Sequence, residues 1–138
     1  MIIGIGTDLI EMTRIDRLLS RWGTRALTRL FTPLEIQKGT DLSSSTRHFA
    51  KRFAAKEALV KALGLGFVQK ITFQDMEVSN DALGKPKLFL KGVAAQKLNA
   101  QLLPGFESRI HLSLSDTQDH ALAFVVIEQV ALDTLKHV

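Results

Sequence analysis

Cysteine is absent from the 138 residues of this sequence. This absence excludes disulfide bonds, cysteine nucleophiles and thiolate zinc sites, and it is compatible with a reducing cytoplasm. A basic segment is missing from the amino terminus, MIIGIGTDLIEM, which therefore does not resemble a signal peptide. Apolar runs long enough to span a bilayer are also missing. These absences predict a cytoplasmic protein without a membrane anchor.

The composition is that of a globular protein, with 46% hydrophobic and 23% charged residues. The length suits a single domain, 1–138. The net charge is +4, but its distribution is uneven. Residues 1–66 contain 11 Lys or Arg and 6 Asp or Glu, whereas residues 67–138 contain 7 and 8. The positive first half predicts a negatively charged partner or substrate: a nucleic acid, a phosphorylated small molecule or an acidic protein.

The order of the predicted elements favours an α+β fold, with early helices packed on a mainly antiparallel sheet. Hydrophobic periodicity, caps and breakers predict helices over about 13–22, 24–31, 33–38, 46–63 and 92–103. Alternation and β-branched residues predict strands over 2–8, 71–78, 87–90, 110–115 and 121–127. The pair Gly4 and Gly6 lacks the third glycine of a dinucleotide-binding fingerprint. We expect these glycines to allow the close approach of another backbone or of the substrate.

Glu57 has an unusual place on the long predicted helix. On a helical wheel it falls at the margin of the apolar arc that contains Phe53, with Lys61 one turn further on the same side. One interpretation is a core helix with a Glu57–Lys61 ion pair at its boundary. The other is a carboxylate held rigidly to meet a cation, because a partly dehydrated carboxylate needs a positive partner.

Asp8, at the end of the first predicted strand, is the best second carboxylate for a metal ion. A turn or helix-cap role is the alternative for this residue. Two carboxylates without cysteine or clustered histidine suit Mg²⁺, which completes its coordination with water and substrate phosphate oxygens. The basic residues nearby fit a phosphate-bearing substrate.

Four arginines recur every three or four residues, at Arg14, Arg17, Arg21 and Arg25. They form one stripe if the first two helices run nearly in line. The stripe is either a solvated face or a docking surface for an acidic protein.

Four motifs together resemble the holo-acyl-carrier-protein synthases, in order and over nearly the whole chain. The first two are Gly4-Ile5-Gly6-Thr7-Asp8-Leu9, followed by Arg14-Ile15, and Phe53-Ala54-Ala55-Lys56-Glu57-Ala58, followed by Lys61-Ala62 and Gly64. The other two are Gly84-Lys85-Pro86 and His111-Leu112-Ser113-Leu114-Ser115. The resemblance implies Mg²⁺-dependent transfer of the 4′-phosphopantetheine arm of coenzyme A to a serine of an acyl carrier protein, with release of adenosine 3′,5′-bisphosphate. It also implies a small α+β subunit in a homotrimer, with active sites between neighbouring subunits.

By the same resemblance, Asp8 and Glu57 are the metal ligands and Lys61 lies on the pyrophosphate. The coenzyme A site is implied to include Arg52, Lys61, Gly64, Gly84, Lys85, Pro86, His111 and Ser113. The arginine stripe is the expected surface for the acidic carrier protein. Many members have a histidine where this chain has Asp116; an aspartate repels phosphate, so we leave it out of the site. The base that deprotonates the serine stays open between a water and one of the carboxylates.

Two other functions are compatible with the sequence. A basic α+β module could bind nucleic acid through the arginines, although its predicted strands lack an aromatic stacking platform. A non-catalytic trimer subunit could use Glu57 only as the partner of Lys61. We expect the enzyme, with no nucleic-acid or membrane partner.

Overall fold

The computed structural model describes residues 1–40, 45–66 and 70–133. Its helices are α1 (Met12–Trp22), α2 (Thr24–Leu30), α3 (Pro33–Thr40), α4 (Ser45–Leu63) and α5 (Gly92–Ala100). Its strands are β1 (Ile2–Glu11), β2 (Met76–Asn80), β3 (Pro86–Leu90), β4 (Phe106–Asp116) and β5 (His120–Ala131). Helices precede most of the strands, and both sheets are antiparallel, which confirms the predicted α+β class.

The main sheet has the strand order β1-β5-β4, and β2 pairs with β3 as a separate hairpin. β5 is the central strand, and its inward residues from Ala121 to Ile127 are buried. Helix α4 packs against the inner face of this sheet and also contacts α1 and α3. Because 13 of its 19 residues are buried, α4 is the centre of the molecule and not a surface helix. Its buried alanines allow this close packing on several sides.

Two glycines of β1 bring α4 against the sheet. A Cβ added to Gly6 would lie 1.9 Å from the carbonyl oxygen of Ala58, and one added to Gly4 would lie 2.2 Å from that of Ala62. No real side chain tolerates such distances, so glycine is required at both positions. The prediction of a close backbone approach is confirmed, and the approaching backbone is that of α4.

Several predicted boundaries are wrong. β1 continues to Glu11, so Asp8 lies inside this strand and not at its end, β4 begins at Phe106 and β5 continues to Ala131. Two further differences have a visible cause. The strand predicted from residue 71 begins only at Met76, because Thr72 and Asp75 form a capping box around a short 3-10 helix at 73–75. The helix predicted to reach residue 103 ends at Ala100. There the backbone N–H of Leu103 donates to the side chain of Gln129 on β5, at 3.0 Å, instead of continuing the helix. Both corrections depend on side-chain hydrogen bonds that hydrophobic periodicity does not reveal.

The outer face of the main sheet, opposite α4, is rich in apolar side chains. Ile5 and Leu9 of β1 are 58% and 64% exposed, and Leu122 and Phe124 of β5 are 41% and 40% exposed. The strand register places Leu9 directly opposite Leu122. These four side chains define an apolar sheet face. Within the described ranges, no helix is both long and apolar enough to cross a membrane.

Candidate active site

The two predicted carboxylates come together between β1 and α4. Asp8 pairs with the buried Ala123 in the register of β1 with β5, which places it on the inner face of the sheet, towards α4. Glu57 lies next to Ala58, whose carbonyl oxygen is the atom in contact with Gly6. The close glycine contact therefore joins the two backbone segments that carry Asp8 and Glu57.

Lys61 has a different partner from the one predicted. Its Nζ donates to the carboxylate of Asp8 at 3.2 Å and to the backbone carbonyl of Thr7 at 3.0 Å. The first of the two interpretations of Glu57, an ion pair with Lys61, is therefore wrong, because the lysine reaches across to β1 instead of along its own helix. The side chain of Asp8 is only 15% exposed, while that of Lys61 is 56% exposed and has room to approach a substrate.

The surroundings of Glu57 disfavour its charged form. Burial, followed by the nearby charge of Asp8, raises the pKa of Glu57. The positive charges of Arg14 and Lys61 oppose this shift but do not cancel it. Two neighbouring carboxylates in a partly dehydrated place favour a bound cation, which would neutralise both.

The donor set at this place fits a hard divalent ion. In the part of the chain that the structure describes, no cluster of three or more His, Asp or Glu side chains is positioned to hold a metal. The pair would thus supply two oxygen ligands and leave other positions for water or substrate oxygens. Mg²⁺ tolerates this arrangement well, whereas Ca²⁺ prefers more protein ligands.

A second group of predicted residues lines another groove. Lys85 and Pro86 meet Arg109 and His111 in a depression of about 410 Å³ between β3 and β4. The Nε2 atom of His111 lies 2.8 Å from a carboxylate oxygen of Glu128. With Lys87 also present, the groove is basic and suits an anionic ligand.

The groove opens at the β4 edge of the main sheet, and two of the predicted coenzyme A residues, His111 and Ser113, lie on the face of the sheet opposite Asp8. His111 is paired with Val126, and Ser113 with Phe124, on the outer face. Asp8 points to the inner face. A single chain therefore does not gather all of the predicted residues into one pocket.

Arg52, which the resemblance includes in the site, and Asp116, which we excluded, both bind side chains within the fold. Arg52, implied in the coenzyme A site, is only 6% exposed and donates to the side chain of Asn80 at 3.0 Å, so this chain uses it inside the fold. Asp116, which we left out, forms ion pairs with Arg47 at 2.9 Å and with Lys51 at 3.4 Å. These pairs join the end of β4 to the first half of α4. Gly64, with φ +76°, ends α4 as its sequence predicts.

The four arginines of the stripe are all exposed. Gly23, with φ +52° and ψ −128°, breaks the chain between α1 and α2, so Arg25 lies on a separate helix from the other three. Arg25 nevertheless lines a groove of about 650 Å³ together with Leu18, Trp22 and Arg29. Arg14 lies at the other end, 5.6 Å from the ring centre of Phe53, and acts on the charge of Glu57. The arginines thus extend from the carboxylate pair to an apolar groove.

Sequence reasoning missed the buried ion pair between Lys56 and Glu35, whose Nζ and Oε1 atoms are 2.6 Å apart. Both side chains are fully enclosed. The only sequence signal of this pair is the position of Lys56 inside the apolar arc of α4. No pattern in α3 marks Glu35 as its partner. The apolar groove beside the arginines was missed as well, since its walls come from two helices.

Comparisons with known proteins agree with this fold and these motifs. The model of the 4′-phosphopantetheinyl transferase superfamily matches residues 4–125. A holo-[acyl-carrier-protein] synthase of Zymomonas mobilis is 52% identical over 130 residues, covering 93% of this chain and 97% of the relative. The corresponding enzyme of Alkalilimnicola ehrlichii is 49% identical over 132 residues, covering 93% and 98%.

Solved structures give the same result. The holo-[acyl-carrier-protein] synthase of Neisseria meningitidis superposes with a TM-score of 0.80 at 41% identity, covering 93% of this chain and 99% of the other. That of Bacillus anthracis, solved in complex with coenzyme A (3′,5′-ADP), has a TM-score of 0.74 at 38% identity, covering 93% and 97%. The fold and the matching family model define the class of protein, a phosphopantetheinyl transferase. This chain belongs to the 4′-phosphopantetheinyl transferase superfamily, and within it is similar to the holo-[acyl-carrier-protein] synthases.

Proposed function

We propose that this protein transfers the 4′-phosphopantetheine arm of coenzyme A to a serine of an acyl carrier protein, with Mg²⁺ held by Asp8 and Glu57. The observation that carries the proposal is the proximity of these two carboxylates between β1 and α4, beside the half-exposed side chain of Lys61. The similarity to holo-[acyl-carrier-protein] synthases supplies the substrates. The related structure with bound coenzyme A supports that choice.

The reaction demands positioning and charge neutralisation more than covalent chemistry. The serine oxygen forms a bond to the phosphorus that carries the pantetheine arm. The bond from that phosphorus to the bridging oxygen breaks, and adenosine 3′,5′-bisphosphate leaves. The serine proton passes to water or to a carboxylate of the pair.

The residues of this chain have separable tasks in that reaction. When bound, Mg²⁺ would spread the negative charge of the pyrophosphate. Asp8 and Glu57 would hold the ion, because the burial of Glu57 and its repulsion by Asp8 both favour a bound cation there. Lys61, half-exposed and fixed by Thr7 and Asp8, would donate to the leaving phosphate and stabilise its developing charge.

A second copy of the chain completes the site in this proposal. His111 and Ser113 lie on the outer face of the sheet and Asp8 lies on the inner face, so coenzyme A that touches both groups would lie between two chains. The apolar sheet face around Leu9 and Phe124 is the natural contact surface, because its exposed area favours burial against another subunit. We propose a homotrimer assembled through this face.

The arginine stripe is the proposed docking surface for the carrier. Acidic side chains of the carrier would meet Arg14, Arg17, Arg21 and Arg25, and an apolar carrier residue would enter the groove beside Trp22. Because Arg14 also lies near Glu57, this surface would deliver the serine towards the carboxylate pair.

Nucleic-acid binding has less support. Among the residues that the structure describes, the two exposed aromatic residues on strands, Phe89 and Phe124, belong to different sheets and cannot form one stacking platform. The family assignment also favours the enzyme.

Mass spectrometry of the carrier protein tests the proposed function. Purified protein, apo carrier protein and coenzyme A are incubated with Mg²⁺, or with a chelator as the control. We expect the carrier to gain the mass of one phosphopantetheine only with Mg²⁺. A carrier of unchanged mass under all conditions, with the protein folded, would remove the transferase assignment.

A further inference from the structure

Lys56 is the most completely buried cation of the described chain. Its side chain is 0% exposed, and its Nζ donates to three acceptors from three different segments. These are the backbone carbonyl of Leu30 at 2.8 Å, the carboxylate of Glu35 at 2.6 Å and the backbone carbonyl of Phe73 at 3.1 Å. All three donor positions of the ammonium group are used, so its direction is fixed.

Glu35 is equally constrained on the other side of the pair. One carboxylate oxygen accepts the N–H of Thr32 at 2.8 Å as well as Lys56, and the other accepts the N–H of Val78 at 2.8 Å. The carboxylate therefore joins the start of α3, the middle of α4 and the strand β2. Buried ion pairs of this kind add little stability over apolar residues of the same size, since removing both charges from water is costly. The main effect of the Lys56–Glu35 pair is geometric, because it fixes α4 relative to α3 and β2.

That geometry concerns the neighbouring residue, Glu57. Lys56 precedes it on α4, and Ala58, which follows it, is in contact with Gly6 of β1. The helix is therefore held on both sides of Glu57, by the ion pair and by the glycine contact. A carboxylate lies roughly 6 Å from its helix axis, so a roll of about 10° would move it by about 1 Å. Mg²⁺ demands near-ideal ligand distances, and a shift of this size is enough to impair binding.

We propose that the Lys56–Glu35 pair is a positioning device that fixes the roll of α4 and thereby sets Glu57 at the separation from Asp8 at which one divalent cation binds both. Lys56 touches neither the ion nor the substrate in this role. The inference rests on the proposed cation site, and it adds two residues from the interior to the function of that site.

Direct titration with Mn²⁺, followed by electron paramagnetic resonance, tests the proposal without relying on turnover. Lys56→Met removes the charge and keeps the length and the apolar stem. Lys56→Gln keeps two N–H donors on a shorter, uncharged side chain and serves if the methionine variant does not fold. Leu98→Ala is the matched control, because Leu98 is 3% exposed in the core on α5, and its truncation destabilises the fold without touching the pair. All variants are measured well below their own melting temperatures.

We expect each folded Lys56 variant to bind Mn²⁺ at least tenfold more weakly than the wild type, with a lower kcat and an unchanged KM for the carrier protein. Leu98→Ala should lower the melting temperature and retain wild-type affinity for Mn²⁺. Wild-type affinity in a folded Lys56 variant would overturn the positioning role, and so would an equal loss in Leu98→Ala. All titrations are repeated with coenzyme A present, because the substrate phosphates supply further ligands to the ion. If the wild-type protein bound no Mn²⁺ even with coenzyme A, the proposed cation site would fail, which is a different result.

Discussion

Gly6→Ala is the substitution whose effect follows most directly from the structure. The new Cβ would lie 1.9 Å from the carbonyl oxygen of Ala58, whereas ordinary contact begins at 3.4 Å. Helix α4 must therefore move away from β1 by about 1.5 Å. Since the obstacle is backbone and cannot rotate away, the cost should reach the upper end for overpacking, about 3 kcal/mol. For a chain of this size that lowers the melting temperature by roughly 10 °C.

The same displacement acts on the site, because Asp8 follows Gly6 by two residues and Glu57 precedes Ala58. A misplacement of about 1 Å can lower the rate by about 100-fold. We expect Gly6→Ala to show both effects, by calorimetry and by carrier-modification kinetics at a temperature where the variant is folded. Gly105→Ala is the control: its φ is +82° and no atom lies within 4 Å of the added Cβ, so it should cost about 1 kcal/mol of strain and leave kcat unchanged. A Gly6→Ala protein with wild-type melting temperature and rate would refute the close contact.

Four further outcomes are expected. Glu57→Gln or Asp8→Asn should each lower kcat more than tenfold in steady-state assays while circular dichroism remains that of the wild type; full turnover at saturating Mg²⁺ would contradict their role. Arg21→Glu should raise KM for the carrier protein and leave KM for coenzyme A nearly unchanged, and equal effects on both would count against the docking surface. Burial lowers the pKa of His48 to about 4, so folding favours the neutral ring, and stability present above pH 6.5 should fall by up to about 3 kcal/mol towards pH 4. Denaturant titrations should show this loss reduced in His48→Gln, and identical pH profiles would exclude it. Phe124→Glu should convert the proposed trimer into monomers by light scattering and abolish activity; an active monomer would argue against a site shared between chains.

The sequence predicted the positions of the helices well because their signals are local. Thr32 before Pro33 gives the start of α3, and its hydroxyl does accept the N–H of Glu35, at 3.3 Å. Gly64, with positive φ, ends α4 in the same local way. Such caps involve residues three or four apart and can be recognised in a short window.

The parts that sequence reasoning missed depend on contacts between distant segments. Lys61 has a helical neighbour in Glu57, yet it binds Asp8 and Thr7 because the glycine contact brings β1 within reach. Glu35 accepts hydrogen bonds from a lysine on α4 and from a backbone N–H on β2, and no periodicity of α3 indicates either partner. The family resemblance points to the two carboxylates, but it contains no information on the partners of Lys61 and Glu35.

Anomalous X-ray scattering from crystals grown with coenzyme A and Mn²⁺ tests the central claim most directly. The account predicts one strong anomalous peak per chain, coordinated by oxygens of both Asp8 and Glu57. A peak bound elsewhere, with these two carboxylates left unliganded, would contradict it.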